Sequence, residues 1–446
     1  MTYPLSSPVV AGDPTEADQY NNLRSDALYL GGNPAGSGNL LQLLYQSMGM
    51  ISLTRVSATT IRLNASASSP CALMIGGTIF AVDADKSILL TSVALPSAGR
   101  YYVYAVAQSD GSFILDAGDN NVPVNGRMIG TFLWDGSGII PGTLHNASEW
   151  EAIRSVVKPS IANGRLTLAS GIPVSDADIV AADTLYFTPY NGNEIALYIG
   201  GEWVVFSFEE ISLSLSGLTN ELPYDIFISA DYTGLHLSAA QWGSTSARLT
   251  TLVYFDGVQV SGADYGKRYL GSVALNANGY GEDSQTGRLI WNENNRVDRP
   301  LLSKITSSPA SQTAVMNKWV PYLHEKAATV RLLVPEPDTS FELTGTGISN
   351  FISESDAAYT RAVLYGIGQD MMMESPYTDN NTCVPVFVES YGNSPVNVSI
   401  RNFGASFRGY HKYTLAFYTN YSFIPKGLTF NSLLDAGPGL YGSIKG

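Results

Sequence analysis

Within Glu209 to Ser216 apolar and polar residues alternate from Glu210 onward: Ile211, Leu213 and Leu215 take one parity, Ser212, Ser214 and Ser216 the other. A period of two predicts a half-buried strand, and Gly217 ends it. From Tyr224 to Ser229 apolar residues fall on both parities, which predicts a central strand covered on both faces. Thr250 to Val260 reads as a hairpin whose two-residue turn is Asp256-Gly257, a pair that supplies positive φ at low cost.

The same order of patterns occurs twice. Ile75-Gly76-Gly77, the apolar run Ile88 to Leu90, Arg100-Tyr101-Tyr102-Val103-Tyr104-Ala105-Val106 and Gly126-Arg127-Met128-Ile129-Gly130-Thr131-Phe132 form the first series. Ile199-Gly200-Gly201, Ile211 to Leu215, Pro223-Tyr224-Asp225-Ile226-Phe227-Ile228 and Lys267-Arg268-Tyr269-Leu270-Gly271-Ser272-Val273 form the second. This predicts a duplicated all-β unit, with the Asp256-Gly257 hairpin added in the second copy. Two copies fall short of a solenoid, which needs three or more.

Helical periodicity is confined to short stretches. Gly12-Asp13-Pro14-Thr15-Glu16 offers a capping Asp13, a Pro14 suited to the first helical position and a Glu16 placed to reach back. The predicted helix runs to Leu30, carries Tyr20, Leu23 and Ala27 on one stripe, and stops at Gly31-Gly32-Asn33-Pro34. One short helix cannot fold alone, so it is expected to dock on the next domain or on a neighbouring subunit. A weaker helix is read over Leu40 to Met48, and a connecting helix over Asn146 to Lys158, with Ser148 as cap and Trp150, Ile153 and Val157 on one face.

The predicted fold class is therefore mainly β and multi-domain. A helical segment (1–50) precedes a first β module (51–145), a helical connector (146–170), a second module (171–300) and a linker (301–318). The modules are expected to be sandwich-like or barrel-like. A C-terminal β-sandwich of jelly-roll type (319–425) and a tail (426–446) with little to bury complete the chain.

Composition narrows the function. Charged residues are only 14% of 446, whereas Tyr is 26 and Gly 43, a neutral, aromatic surface that suits packing against other subunits. The net charge is −14 with no Lys/Arg cluster, which argues against nucleic acid and against an anionic membrane surface. No apolar run is long enough for a membrane span, and Met1-Thr2-Tyr3-Pro4 lacks the marks of a secretion signal, so synthesis in a cytoplasm is expected. Cys71 and Cys383 leave one bridge open, with two buried thiols the preferred reading. His145, His236, His324 and His411 have no metal-ligand spacing, and neither a nucleophile elbow nor a phosphate loop occurs. No catalytic residue, metal ligand or cofactor is expected, although the many carboxylates leave a glycosidase pair open.

Trp291-Asn292-Glu293-Asn294-Asn295-Arg296 has two readings. Trp could stack on a sugar and Asn bond its hydroxyls; alternatively Trp291 closes a core, the Asn side chains bond turn backbones, and Arg296 or Arg299 pairs across a subunit contact. The second reading is preferred. Tyr359, Tyr365, Tyr377, Tyr391 and Tyr410 in the last domain are candidates for partner contact, since tyrosine gives contact area at low entropy cost. Met371-Met372-Met373 fits an interface patch or buried packing equally well.

Three features resemble bacteriophage virion proteins. The stretch from Gly12 to Ala27 is similar to the opening of many phage tail and fibre proteins. The block from Tyr186-Phe187-Thr188-Pro189 to Trp291-Asn292-x-x-Asn295-Arg296 and Arg299 resembles a domain recurring in phage structural proteins. The order of helical segment, repeated β modules and terminal sandwich resembles a fibre, spike or head-decoration subunit. The resemblance is weakest over residues 320–446. It implies a fibre or spike subunit of the virion, made in the host cytoplasm and homotrimeric. Asp13, Tyr20, Asn21, Leu23 and Asp26 would lie in the segment gripping other virion proteins, and the C-terminal domain would touch a host surface glycan or protein, or a neighbouring virion protein. A capsid decoration or cement protein is the second reading, and a tailspike polysaccharide hydrolase the third.

Overall fold

The computed structural model of the chain describes residues 18–23, 51–67, 71–154, 158–304, 318–321, 329–336, 338–339, 341–347, 364–369, 383–385, 396–401, 409–419 and 439–445. The protein is mainly β, built from many antiparallel sheets, and among the described residues no sheet closes into a barrel. The chain divides into two compact units. One comprises residues 1–158 with 198–204 and 230–234; the other comprises 159–197, 205–229 and 235–446.

In the first unit, Leu53–Ser57, Thr60–Leu63 and Lys86–Leu89 form a three-stranded sheet. Cys71–Ile75 and Thr78–Val82 form a hairpin. Phe113–Gly118, Gly99–Ala107, Gly126–Trp134 and His145–Asn146 form a four-stranded sheet. Alternation decides which side chains meet: Phe113, Leu115 and Ala117 are buried while Ile114 between them is exposed. These residues join Ile61, Leu73, Val103, Ile129 and Phe132 in one core. The helix that follows is Ala147–Arg154. Its cap is Asn146 in place of the expected Ser148: Asn146 Oδ1 accepts from the Glu149 N–H at 2.8 Å, and Glu149 Oε2 accepts from the Asn146 N–H at 3.1 Å. Asn146 also pairs with Gly130 at the end of the sheet, so the strand hands over directly to the capping box.

The duplication is visible in the pairing. Gly164–Thr167, Thr184–Pro189 and Ile211–Ser214 repeat the three-stranded sheet. The hairpin Glu194–Ile199/Glu202–Ser207 repeats the hairpin after Cys71, and both turn on Gly-Gly. Gly76 and Gly77 have φ 58° and 85°, Gly200 and Gly201 62° and 90°, the double positive φ that a two-residue turn of this hand requires. Gly234–Gln241, Pro223–Asp231 and Asp264–Ala274, with Ile290–Asn292 on the last, repeat the four-stranded sheet. Even the irregularity recurs. The register slips between Val103 and Tyr104 after Val103↔Gly130, and between Ile226 and Phe227 after Ile226↔Gly271. The predicted added hairpin is Leu252–Phe255/Val258–Ser261, with Asp256 at φ 49°.

The remaining strands belong to shared sheets. Thr329–Val334 runs parallel to Gly287–Arg288 and antiparallel to Gly409–Thr419, which also pairs Leu364–Gln369 and Lys318–Pro321. Residues assigned to the second module and to the C-terminal sandwich therefore lie in one eight-stranded sheet that includes Ile179–Ala182 and Gly281–Ser284. Ala274, Leu289, Leu333 and Tyr410 share a buried cluster. Three boundaries differ from the sequence reading. Gly164–Thr167 of the expected helical connector is a strand of the second module, paired with Thr184–Pro189. Residues 301–304 of the expected linker belong to the strand Asp298–Lys304, and Gly439–Lys445 of the expected tail lies between Asp298–Lys304 and Phe341–Gly347 as a central strand. The cause is backbone pairing between segments far apart in sequence, which leaves no local periodicity to detect. The helix read over Leu40 to Met48 and the Met371–Met373 run lie outside the described residues.

Candidate functional site

Of the residues assigned to particle attachment, Tyr20, Asn21 and Leu23 are described; Asp13 and Asp26 lie outside the described residues. Residues 18–23 are helical, and Tyr20 and Leu23 are 68% and 60% exposed. Of the five tyrosines assigned to partner contact, Tyr359, Tyr377 and Tyr391 lie outside the described residues. Tyr365 pairs by its backbone with Phe417. Tyr410 is buried, and its hydroxyl donates to Glu221 at 3.2 Å, so this side chain is engaged within its own chain. Burial beside the Glu221 carboxylate pushes its hydroxyl far above the ordinary tyrosine range.

The Trp291 block takes the core role. Trp291 is fully buried against Phe227 and Tyr269. Asn292 Oδ1 accepts from the Leu166 N–H at 2.7 Å and its Nδ2 donates to the Leu166 carbonyl at 3.3 Å. Asn295 Nδ2 donates to the carbonyls of Ala162 and Gly164. The two asparagines thus bind the strand Gly164–Thr167 edge-on, satisfying backbone groups that would otherwise be buried without partners. Arg296 lies over the Trp291 ring at 4.2 Å, and its guanidinium pairs with Glu293 at 3.1 Å and Asp338 at 2.7 Å. Arg299 pairs with Asp283 at 3.0 Å. Both arginines find carboxylate partners within the chain.

Next to this block lies a buried ionic network. Asp225 stands in the middle of the apolar strand Pro223–Asp231 with no exposure. Its carboxylate accepts from Ser272 Oγ at 2.7 Å and from Arg248 Nε at 3.0 Å. Arg248 also donates to Tyr269 Oη at 3.0 Å and to Glu336, and its guanidinium lies 4.7 Å from the Trp242 ring. Burial pushes the Asp225 carboxyl up, and Arg248 opposes that shift. Tyr269 is held well above its ordinary value by burial and then by Asp225. Glu293 is raised to about 6, chiefly by burial, against the pull of Arg296 and with a further push from Glu336 and Asp338.

Three more arginines act as staples. Arg268 Nη1 donates to the carbonyls of Pro159, Ile161 and Ala196 at 2.8–2.9 Å, and burial lowers it to about 10. In the first unit the equivalent Arg127 reaches the Met74 carbonyl at 3.4 Å. Arg100 lies 3.6 Å over the Trp150 ring and pairs with Glu202. Cys71 is a buried free thiol whose pKa burial raises. Among the described residues no group of three or more His, Cys, Asp or Glu could hold a metal ion, and no helix is long and apolar enough to cross a membrane.

The arrangement can do two things chemically. It pairs each of Arg248 and Arg296 with two carboxylates, and it leaves Glu293 as a group that changes protonation near pH 6. Sequence inspection singled out the Trp291 block but missed Asp225, Arg248 and Glu336. The available signal was the lone carboxylate inside the apolar run from Tyr224 to Ile228.

No protein-family model matches the chain, and no curated protein matches it in sequence. Among solved structures, a crystal structure of tripeptidyl peptidase 2 aligns at 11% identity and a TM-score of 0.15, covering 59% of this chain and 18% of the peptidase. The chain thus spans less than a fifth of that enzyme's length, and a likeness of this size carries no argument about fold or function.

Proposed function

We propose that this chain is a non-enzymatic structural subunit of a phage virion, a fibre or spike protein. The N-terminal segment grips the particle, and the C-terminal strands contact a host surface or a neighbouring virion protein. The observation that carries the reading is the twice-built β module, with its repeated bulge and Gly-Gly turn. Repeating one unit adds surface without adding chemistry, and several such chains on one particle turn weak contacts into firm attachment. The exposed Tyr20 and Leu23, one helical turn apart, support the attachment role of the first fifty residues, because an apolar stripe gains stability only where something covers it.

Deleting residues 1–50 tests this. The expected product is a folded trimer by native mass spectrometry that no longer joins particles. An insoluble product would assign the segment to the fold and end the attachment role. Electron micrographs of labelled particles give the second check: label at a tail or vertex fits a fibre or spike, whereas label spread over the shell fits the decoration role.

A further inference from the structure

The sequence holds four Asn-Gly pairs: Asn125-Gly126, Asn163-Gly164, Asn191-Gly192 and Asn278-Gly279. In such a pair the glycine nitrogen can attack the asparagine side-chain amide, because the second residue has no side chain to hinder the rotation that brings them together. Folding decides which pair is free to react. The Gly126 N–H donates to the Pro123 carbonyl at 2.8 Å and the Gly279 N–H to the Asn276 carbonyl at 3.0 Å, so both nitrogens are held. Gly164 is buried in the strand Gly164–Thr167 opposite Pro189. Asn163 before it is fixed on both sides: its N–H donates to the Glu194 carbonyl at 2.8 Å, and its carbonyl accepts from the Tyr190 N–H at 3.1 Å.

Asn191-Gly192 differs from all three. It lies in the bend between Thr184–Pro189 and Glu194–Ile199, and both residues are exposed. Among the described residues neither the Asn191 side chain nor the Gly192 N–H has a hydrogen-bond partner. The fold also requires this pair of residue types. Asn191 has φ 60°, a left-handed conformation that asparagine tolerates. Gly192 has φ 125°, and a Cβ there would come within 2.7 Å of Asn163 Nδ2. The bend thus imposes the glycine that makes the site reactive. Its two ends are clasped by Asn163 through the bonds to Tyr190 and Glu194, while its apex is free.

We propose that Asn191 is the principal site at which this protein deamidates, and that the isoaspartyl product unclasps the bend from Asn163. The Gly192 nitrogen forms a bond to Asn191 Cγ, the Cγ–Nδ2 bond breaks, and ammonia leaves with the proton from the Gly192 nitrogen. Water then opens the cyclic imide at either carbonyl, giving aspartate or isoaspartate. In sum, amide and water become acid and ammonia, with no oxidant or reductant. Either product adds a carboxylate near the exposed Glu194, and isoaspartate also adds a carbon to the backbone of a bend whose ends are pinned. The chemistry is independent of the virion reading.

The test ages the full chain at mildly alkaline pH and maps its peptides by mass spectrometry. In the folded protein the amide-to-acid mass gain is expected at Asn191 roughly tenfold faster than at each of the other three pairs, where a hydrogen bond or a strand must open first. In the chain aged in denaturant the four pairs should react at similar rates, since all share the following glycine. Asn191→Gly keeps a residue that accepts the left-handed position and should abolish the gain at this bend. Hydrogen exchange should show the Tyr190 and Asn163 amides less protected in the aged protein, with no such change in aged Asn191→Gly. A lead by another pair, equal rates in the folded protein, or the same preference in denaturant overturns the assignment of the site. Unchanged protection of Tyr190 and Asn163 after Asn191 has converted overturns the unclasping.

Discussion

Glu293 illustrates how burial and pairing compete at a single residue. A carboxylate beside Arg296 would ordinarily titrate low, yet burial and two neighbouring acids outweigh the pair and raise it to about 6. The raised value means that the folded protein holds a proton between pH 4.5 and about 6 that the unfolded chain has released. Stability therefore falls as pH rises through that window and stays lower above it, by about 2 kcal/mol for this group. Glu293→Gln is expected to flatten that limb in urea denaturation measured from pH 4.5 to 7.5, and an unchanged slope would show that the group is better solvated than its burial implies. At Asp225, too, burial raises the carboxyl against an arginine that donates to it, here Arg248. Asp225→Asn leaves Arg248 with Glu336 as its one carboxylate partner of this pair and should cost about 3 kcal/mol, read as a lower urea midpoint at constant slope.

At the level of elements, the repeated register slip explains a glycine that propensity alone would not. Gly271 has φ 151°, and a Cβ there would run into the Trp291 carbonyl oxygen, so the strand Ile290–Asn292 can approach only a residue without a side chain. Gly271→Ala is expected to destabilise the second module by about 2–4 kcal/mol, measured by thermal unfolding, because backbone cannot shift as a flexible side chain can. The helix after the first module makes the complementary point. Its position was legible from the Trp150 stripe, but its cap was not, since Ser148 and Asn146 both have suitable side chains. Asn146 prevails because pairing with Gly130 already fixes its backbone.

For the whole molecule, the decisive feature is the late return of the chain. Gly439–Lys445 is hydrogen-bonded on both sides, to Asp298–Lys304 and to Phe341–Gly347. Deleting residues 439–446 is expected to leave two strands with open edges and give a soluble yield far below that of the full chain, whereas a merely appended tail could be removed without loss. The same pairing rule brings strands from residues 171–300 and from residues 319–425 into one eight-stranded sheet, although the sequence between them looks like a linker.

The sequence by itself determined what depends on near neighbours. Alternation placed the strands, Gly-Gly and Asp256-Gly257 placed the turns, and the twofold order of motifs announced the duplicated module down to the added hairpin. It also singled out Trp291 as a core closure, whereas the partners of Asn292, Asn295 and Arg296 were not legible in it. Only the tertiary structure decided which distant strands pair and which arginine meets which carboxylate. Those choices rest on contacts that reach from tens of positions, as Arg296 with Asp338, to more than a hundred, as Asn292 with Leu166 and Asp298 with Lys445, and such contacts impose no period on the chain that carries them.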